Sequence, residues 1–219
     1  LGFDLSKVSM SSNNLGARNR TMLNMFIEQQ IKFQNEKIDL TPGIAITYFS
    51  DVSTRLNYQS NFFNNLFFYP GMDLGYRFKK NLKLYSNVGY TYRIPTYTDL
   101  FYSSPTTLGN ENLKLEKALT KEIGLKYLKS NFNLSMSLYQ RDASDIIDYV
   151  RNNEAEPWQA NNIREITTNG FELNMSYKFY LGAFRPQSIN IGYSNINDNL
   201  LETDFTFSRY ALNSLKNQI

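Results

Sequence analysis

FELNMSYKF, residues 171–179, alternates strictly between apolar and polar side chains. Glu, Asn, Ser and Lys separate the apolar members, which are Phe171, Leu173, Met175, Tyr177 and Phe179. Successive side chains of a β-strand point to opposite faces of a sheet, so a strand here has one apolar and one polar face. A helix would scatter both kinds of side chain around its axis. The stretch therefore predicts an amphipathic β-strand.

The same period of two recurs along the chain. The apolar sides of the further segments are Leu23, Met25, Ile27, Ile31 and Phe33; Leu82, Leu84, Val88 and Tyr90; Ile123, Leu125 and Tyr127; Phe132, Leu134, Met136 and Leu138; and Ile189, Ile191 and Tyr193. A soluble sandwich also hides one face of each strand. Several segments, however, reach the roughly 9 to 11 residues that a tilted strand needs to cross a bilayer, and aromatic residues cluster at their ends. The pattern predicts an all-β fold, an antiparallel transmembrane β-barrel wall of about nine strands.

The connections between these segments alternate in length. Short turns are predicted at residues 34–36, 79–81 and 129–131, with a longer link at 181–186. Long polar segments are predicted as loops at residues 51–65, 93–117 and 142–162. Short periplasmic turns and long outer loops are typical of outer-membrane barrels. Residues 1–20 are then expected to be a loop that leads into the first strand, and residues 200–219 part of a descending strand.

Composition excludes several classes of function. The 219 residues contain no cysteine and no histidine, which removes disulfides, thiol chemistry, hydrolytic triads and histidine-rich metal centres. Aromatic residues make up 15% of the chain, as suits strands with interfacial aromatic belts. The net charge is only +3 and the basic residues are scattered, so no nucleic-acid partner is expected. The chain is therefore not expected to be an enzyme.

One polar segment carries a distinctive motif. It reads Tyr92-Arg93-Ile94-Pro95-Thr96, then Asp99-Leu100-Phe101-Tyr102, then Gly109-Asn110-Glu111-Asn112-Leu113-Lys114-Leu115-Glu116-Lys117. This order and spacing resemble a loop in the barrels of TonB-dependent outer-membrane receptors, and residues 142–162 resemble cobalamin-receptor-like members. Glu111 and Leu115 stand where the family usually has proline. The motif residues carried over from the family are Arg93, Pro95, Gly109, Asn110, Leu113 and Glu116.

The resemblance implies an architecture and a function. Residues 1–219 would form a middle-to-late section of a barrel of about 22 strands, whose N-terminal plug domain and remaining strands lie outside this chain. The expected function is active uptake of a large, scarce nutrient across the outer membrane of a Gram-negative bacterium, with vitamin B12 or another corrinoid as first candidate and a ferric siderophore or haem as second. The implied partners are outer-membrane lipid, the plug, the missing strands, the ligand and TonB-ExbB-ExbD, the last reached through the missing N-terminal part. A surface lipoprotein is a further candidate partner.

Aromatic and charged residues of two outer loops are the candidates for ligand contact, because flat rings and guanidinium donors suit large polar ligands. These candidates are Tyr97, Asp99, Phe101, Tyr102, Arg141, Tyr149, Arg151 and Trp158. No catalytic residue, cofactor or metal site is assigned, and Asp142, Asp145 and Asp148 lack the glycine and distal glutamate of a calcium loop. The alternatives are a passive porin or small stand-alone barrel, an outer-membrane enzyme, and a soluble β-sheet binding module.

Overall fold

The computed structural model describes residues 1–53, 65–182, 185–200, 205–209 and 215–219. Most of them lie in strands, and they include one short helix. The strands are β1 (Gly2–Ser12), β2 (Gly16–Glu28), β3 (Ile31–Phe33), β4 (Ile38–Ser53), β5 (Asn65–Lys79), β6 (Leu82–Arg93), β7 (Ser103–Ser104), β8 (Thr107–Leu108), β9 (Glu116–Lys129), β10 (Phe132–Arg151), β11 (Trp158–Tyr180), β12 (Pro186–Leu200), β13 (Phe207–Ser208) and β14 (Asn217–Gln218), and the helix is α1 (Tyr97–Phe101).

The long strands form one antiparallel sheet. They follow each other in the order β1-β2-β4-β5-β6-β9-β10-β11-β12, so each is hydrogen-bonded to its neighbours along the chain. These nine strands confirm the predicted barrel wall and its approximate strand number. Tight turns at residues 34–37, 80–81 and 130–131 join alternate pairs of strands, as predicted.

Strand register gathers the apolar side chains on one face. Leu173 is paired with Met136, Met136 with Leu125 and Leu125 with Leu84, and the row continues through Tyr76. This face is not covered by other protein within the described ranges, since Ile123 is 49% exposed and Leu138 is 58% exposed. An apolar sheet face that wide is unstable in water and stable against hydrocarbon. The sheet is therefore built as a membrane wall and not as one layer of a soluble sandwich.

The opposite face is polar and internally bonded. Lys83 Nζ lies 2.9 Å from Asp39 Oδ2, and the Tyr85 hydroxyl donates to Glu122 Oε1 at 2.8 Å. The Tyr85 ring lies across Gly124, where a Cβ atom would come within 2.4 Å of it. Glycine at this position lets the tyrosine lie flat along the wall. The same arrangement recurs where the ring of Tyr139 crosses Gly170.

The structure corrects several sequence-based expectations. Residues 1–20 are not a loop, because β1 pairs with β2 along its whole length, for example Phe3 with Met25. The first predicted strand is interrupted after Glu28, where the Gln29 amide bonds to Pro42. Residues 142–162 are mostly strand, since β10 and β11 continue outwards as a paired hairpin beyond the ends of β9 and β12. These residues were predicted as a loop because their composition is polar.

The remaining connections are partly accounted for. Most of the predicted loop at 51–65 and part of the link at 181–186 lie outside the described residues. The predicted loop at 93–117 is ordered, with α1 and the small ladder of β7 and β8 inside it. Of residues 200–219, the described part includes β13, which pairs with β10, and β14, which pairs with β12. Among the described residues, no helix is long and apolar enough to cross a membrane.

Candidate functional site

The segment between β6 and β9, residues 94–115, is fastened to the wall by an ion pair at its base; we call it the motif loop. Arg93 ends β6 and Glu116 opens β9, and the register places them side by side. Arg93 Nε and Nη2 lie 2.7 and 2.5 Å from the two oxygens of Glu116, whose side chain is only 16% exposed. Glu116 Oε1 also accepts from the Ile147 amide at 2.9 Å. The hydrogen bonds to Glu116 raise the pKa of Arg93 further, so its guanidinium stays charged at any physiological pH.

A capping box starts the helix inside the motif loop. The Asp99 amide donates to Thr96 Oγ1 at 3.1 Å, and the Thr96 amide donates to Asp99 Oδ2 at 2.9 Å. The same carboxylate accepts from Arg93 at 3.3 Å and from the Tyr149 hydroxyl at 3.2 Å. Burial, together with the negative charge of Asp99, raises the pKa of Tyr149 to about 12. Asp99 thus links the helix to the base of the loop and to the outer hairpin.

Gly109 and Asn110 close the motif loop on the hairpin. The Gly109 amide donates to the Tyr102 carbonyl at 2.6 Å, and a Cβ atom at Gly109 would lie 2.8 Å from the backbone between Leu100 and Phe101. Only glycine permits such a close approach of two backbones. The Asn110 side chain then donates to the Ala160 carbonyl of β11 at 3.0 Å.

A small hydrophobic core lies beneath the motif loop. Leu100, Leu113, Ile147 and Ala160 are all at least 93% buried, and Phe101 and Tyr149 pack against them. This cluster explains why the motif has a leucine at position 113. It also explains why the loop is ordered although two family prolines are missing, because side-chain burial restrains the backbone here.

Two arginines of β2 hold the other side of the motif loop, and the sequence analysis did not single them out. Arg20 donates to both carboxylate oxygens of Asp51 at 2.7 Å and to the Pro95 carbonyl at 3.1 and 3.2 Å. Its guanidinium lies 4.9 Å from the Tyr97 ring, and that of Arg18 lies 3.5 Å from the Phe101 ring. Both fall within residues 1–20, which were expected to be a loop, and only the structure places them on the polar side of β2. Their partners are too distant in sequence to infer.

The candidate ligand residues therefore fall into two groups. One group holds the motif loop, and the other consists of Tyr102, Arg141, Arg151 and Trp158. Tyr97, Asp99, Phe101 and Tyr149 contribute to packing and hydrogen bonds that hold the motif loop, and burial raises the pKa of Tyr97 to about 12. Tyr102 is half-buried after the end of α1, and Arg141 is exposed on the polar face, in register with Thr120 and Thr168.

Arg151 and Trp158 lie together at the outer end of the β10–β11 hairpin. The Arg151 guanidinium carbon is 4.4 Å from the Trp158 ring centroid and 5.4 Å from that of Phe207. Arg209 approaches the same indole at 4.6 Å. β8 pairs with the Trp158 end of β11, and β13 pairs with the Arg151 end of β10, so both edges of the hairpin are covered. We call Arg151, Trp158, Phe207 and Arg209 the arginine–aromatic cluster.

The three aspartates of the hairpin are used within the protein. Lys121 binds Asp142 at 3.1 Å, and Lys117 binds Asp145 at 3.4 Å beside the bulge in β10. Asp148 is buried and accepts from the Ser208 hydroxyl. Within the described ranges, no group of three or more acidic, cysteine or histidine side chains is arranged to hold a metal ion.

A wall with one bare apolar face, one polar face and a folded loop fixed to the polar side defines the class, an outer-membrane-type β-barrel. Comparison with known proteins gives the family. The TonB dependent receptor-like, beta-barrel family matches residues 3–217, so the chain belongs to that family. It is a family of receptors and transporters, and the predicted resemblance is confirmed.

Individual relatives are more distant. The chain is similar to the vitamin B12 transporter BtuB of Vibrio vulnificus, with 26% identity over 93 residues, 42% of this chain and 15% of that protein. It is similar to BtuB of Photobacterium profundum, with 28% identity over 105 residues, 47% of this chain and 17% of that protein. The siderophore receptor PirA from Pseudomonas aeruginosa shares the fold, with a TM-score of 0.68 and 15% identity over 93% of this chain and 39% of that chain. The chain thus spans about a sixth of the curated relatives that it matches.

Proposed function

We propose that this chain is part of the barrel of an outer-membrane receptor that imports a large, scarce nutrient with energy transmitted by TonB. The observation that carries the proposal is the two-faced wall, whose apolar side is exposed while its polar side anchors an ordered outer loop. Such a wall needs lipid on one side and a filled, watery interior on the other. Family membership supports the energy coupling, and we extend it to this chain as part of the same proposal.

The rest of the receptor is part of the proposal. Within the described residues, the edge of β1 that faces away from β2 has no partner strand. The edge of β12 that faces away from β11 pairs only with the short β14. Unpaired strand edges are untenable in a bilayer, so further strands are expected to complete a barrel of about 22 strands. An interior that wide also requires a plug domain, through which TonB would act.

The relatives support two candidate classes of ligand. A corrinoid such as vitamin B12 is the first candidate, because the two curated relatives are vitamin B12 transporters by name. A ferric siderophore or haem is the second, because PirA is named a siderophore receptor. We place ligand contact at the outer hairpin, with Arg141, Arg151 and Trp158, and at Tyr102. The other candidates, Tyr97, Asp99, Phe101 and Tyr149, would act by holding the loop beside the ligand.

The test is uptake by cells that carry the full-length gene. A strain lacking the gene should lose high-affinity uptake of labelled cyanocobalamin or of a ferric siderophore, and the restored gene should return it. Uptake should also disappear when TonB is deleted. Saturable uptake that needs the gene and not TonB would overturn the energy coupling, and non-saturable passage of small solutes would indicate a porin.

A further inference from the structure

The arginine–aromatic cluster concentrates positive charge on an aromatic surface. Two guanidinium groups lie within 4.6 Å of one indole ring, and one of them also lies against Phe207. Trp158 is the single tryptophan of this sequence. The cluster sits beyond the outer ends of β9 and β12, where an incoming ligand would first meet the barrel.

The charge of the cluster is not balanced within the part of the chain that the structure describes. There, neither Arg151 nor Arg209 forms an ion pair with a carboxylate, whereas Arg20 and Arg93 each bind a carboxylate through two nitrogens. Arg151 Nη1 donates only to the Glu154 carbonyl, and its Nε is buried without a hydrogen-bond partner. A nearby carboxylate, that of Glu156, accepts instead from the Asn152 amide.

The construction of the cluster favours a fixed binding surface. Arg209 is placed by its own amide, which donates to the Tyr149 carbonyl at 3.0 Å. The Trp158 amide donates to the Thr106 carbonyl at 2.9 Å. The backbones of Arg209 and Trp158 are thus each tied to a neighbouring segment. Little backbone conformational entropy remains to be lost when a ligand binds there.

We propose that this cluster binds a negatively charged oxygen group that stands beside a flat ring in the imported ligand. The guanidinium groups would donate charge-assisted hydrogen bonds to the oxygens, and the ring would pack against the guanidinium groups beside the half-buried aromatic rings. The inference rests on the proposed function and narrows its ligand. Two sources present this chemistry, the phosphodiester and base of a complete corrinoid and the catecholate rings of a ferric siderophore.

The experiment measures equilibrium binding to the full-length receptor in outer membranes. Two matched pairs of probes separate the sources: cyanocobalamin with cobinamide, which lacks the phosphodiester and base, and a ferric tricatecholate with an uncharged ferric trihydroxamate. The test variant is Arg209→Gln. Arg185→Gln removes the same charge at the opposite end of the sheet, and Thr107→Val removes the contact of Arg209 while keeping its charge.

Within the pair that the receptor binds, the affinity for the member that carries the charged oxygen group should fall about tenfold in Arg209→Gln, the usual effect of losing a hydrogen bond to a charged group. Its partner probe should be unaffected, as should both control variants, and Arg209→Lys should retain part of the affinity. Equal effects on both probes of a pair, no effect, or an equal loss in Thr107→Val would overturn the inference and leave the proposed function standing. Binding of none of the four probes would count against both.

Discussion

Replacing Glu116 by alanine should loosen the junction between the motif loop and the outer hairpin. The carboxylate accepts from Arg93 at two positions and from the Ile147 amide, and Ile147 is 93% buried. A buried amide left without an acceptor destabilises by about 1 to 3 kcal/mol. The Arg93 ion pair adds about 1 kcal/mol or less, because 46% of the arginine side chain is exposed to solvent.

Together these losses amount to about 1 to 4 kcal/mol in the free energy of local opening. The smaller value already corresponds to about fivefold faster amide exchange when exchange follows the opening equilibrium. Hydrogen exchange with mass spectrometry on the full-length receptor in detergent measures this in peptides that contain Ile147. Peptides from the lower parts of β10 and β11 report whether the barrel itself is intact.

Two further variants sharpen the test. Glu116→Gln keeps one acceptor oxygen and should give an intermediate effect, and Glu111→Ala removes an exposed carboxylate of the same loop and should change nothing. If exchange at Ile147 in Glu116→Ala stayed within about twofold of the wild type, the ion pair would not hold the hairpin and the reasoning would be wrong.

Three further predictions concern the wall and its outer end. Gly170→Val should impair barrel assembly, because the Cβ of the new side chain would lie 2.1 Å from the Tyr139 ring. Adding Tyr139→Ala in the same chain should restore heat-modifiable migration on gels. No restoration would disprove the steric cause. Met175→Arg should destabilise the barrel by about 2 to 4 kcal/mol, whereas Asn174→Arg should be tolerated, and equal urea unfolding profiles would refute the facing. The pKa of Tyr149 is raised from 10.0 to about 12, so the contribution of Tyr149 to hairpin stability should be complete below pH 10 and lost as the pH rises towards 12. Protease resistance of the hairpin should therefore fall over this pH range, and Tyr149→Phe should remove the share of the fall that is due to Tyr149. An unchanged pH profile in Tyr149→Phe would contradict this prediction.

Much of the wall could be predicted from sequence because its determinant is local. A period of two over residues 171–179 needs no knowledge of partners, and the neighbouring segments repeat it in the same register. β1 was missed because Lys7 and the serines of residues 9–12 dilute its alternation, so that only pairing with β2 reveals it. The outer hairpin was taken for a loop because strands above the membrane no longer need an apolar side.

The candidate site could be predicted less completely. The motif identified Arg93, Gly109 and Glu116, and each has a contact that explains its residue type. The partners Arg20 and Ile147 belong to strands far away in sequence, and a long-range pair leaves no trace in a single chain. Arg209 is remote in the same way, since it approaches Trp158 only after the chain has passed through β12.

One face of each long strand is built to touch hydrocarbon while the other faces a watery interior. Single cysteines placed one at a time at residues 171–179 of the full-length receptor, cysteine-free elsewhere, can carry nitroxide spin labels whose collision rates with oxygen and with a water-soluble nickel chelate are measured in liposomes. We expect the collision rates to alternate with a period of two. Collisions with oxygen should be favoured at Phe171, Leu173 and Met175, and collisions with the chelate at Glu172 and Asn174. Uniform accessibility along the segment, or the opposite phase, would contradict it.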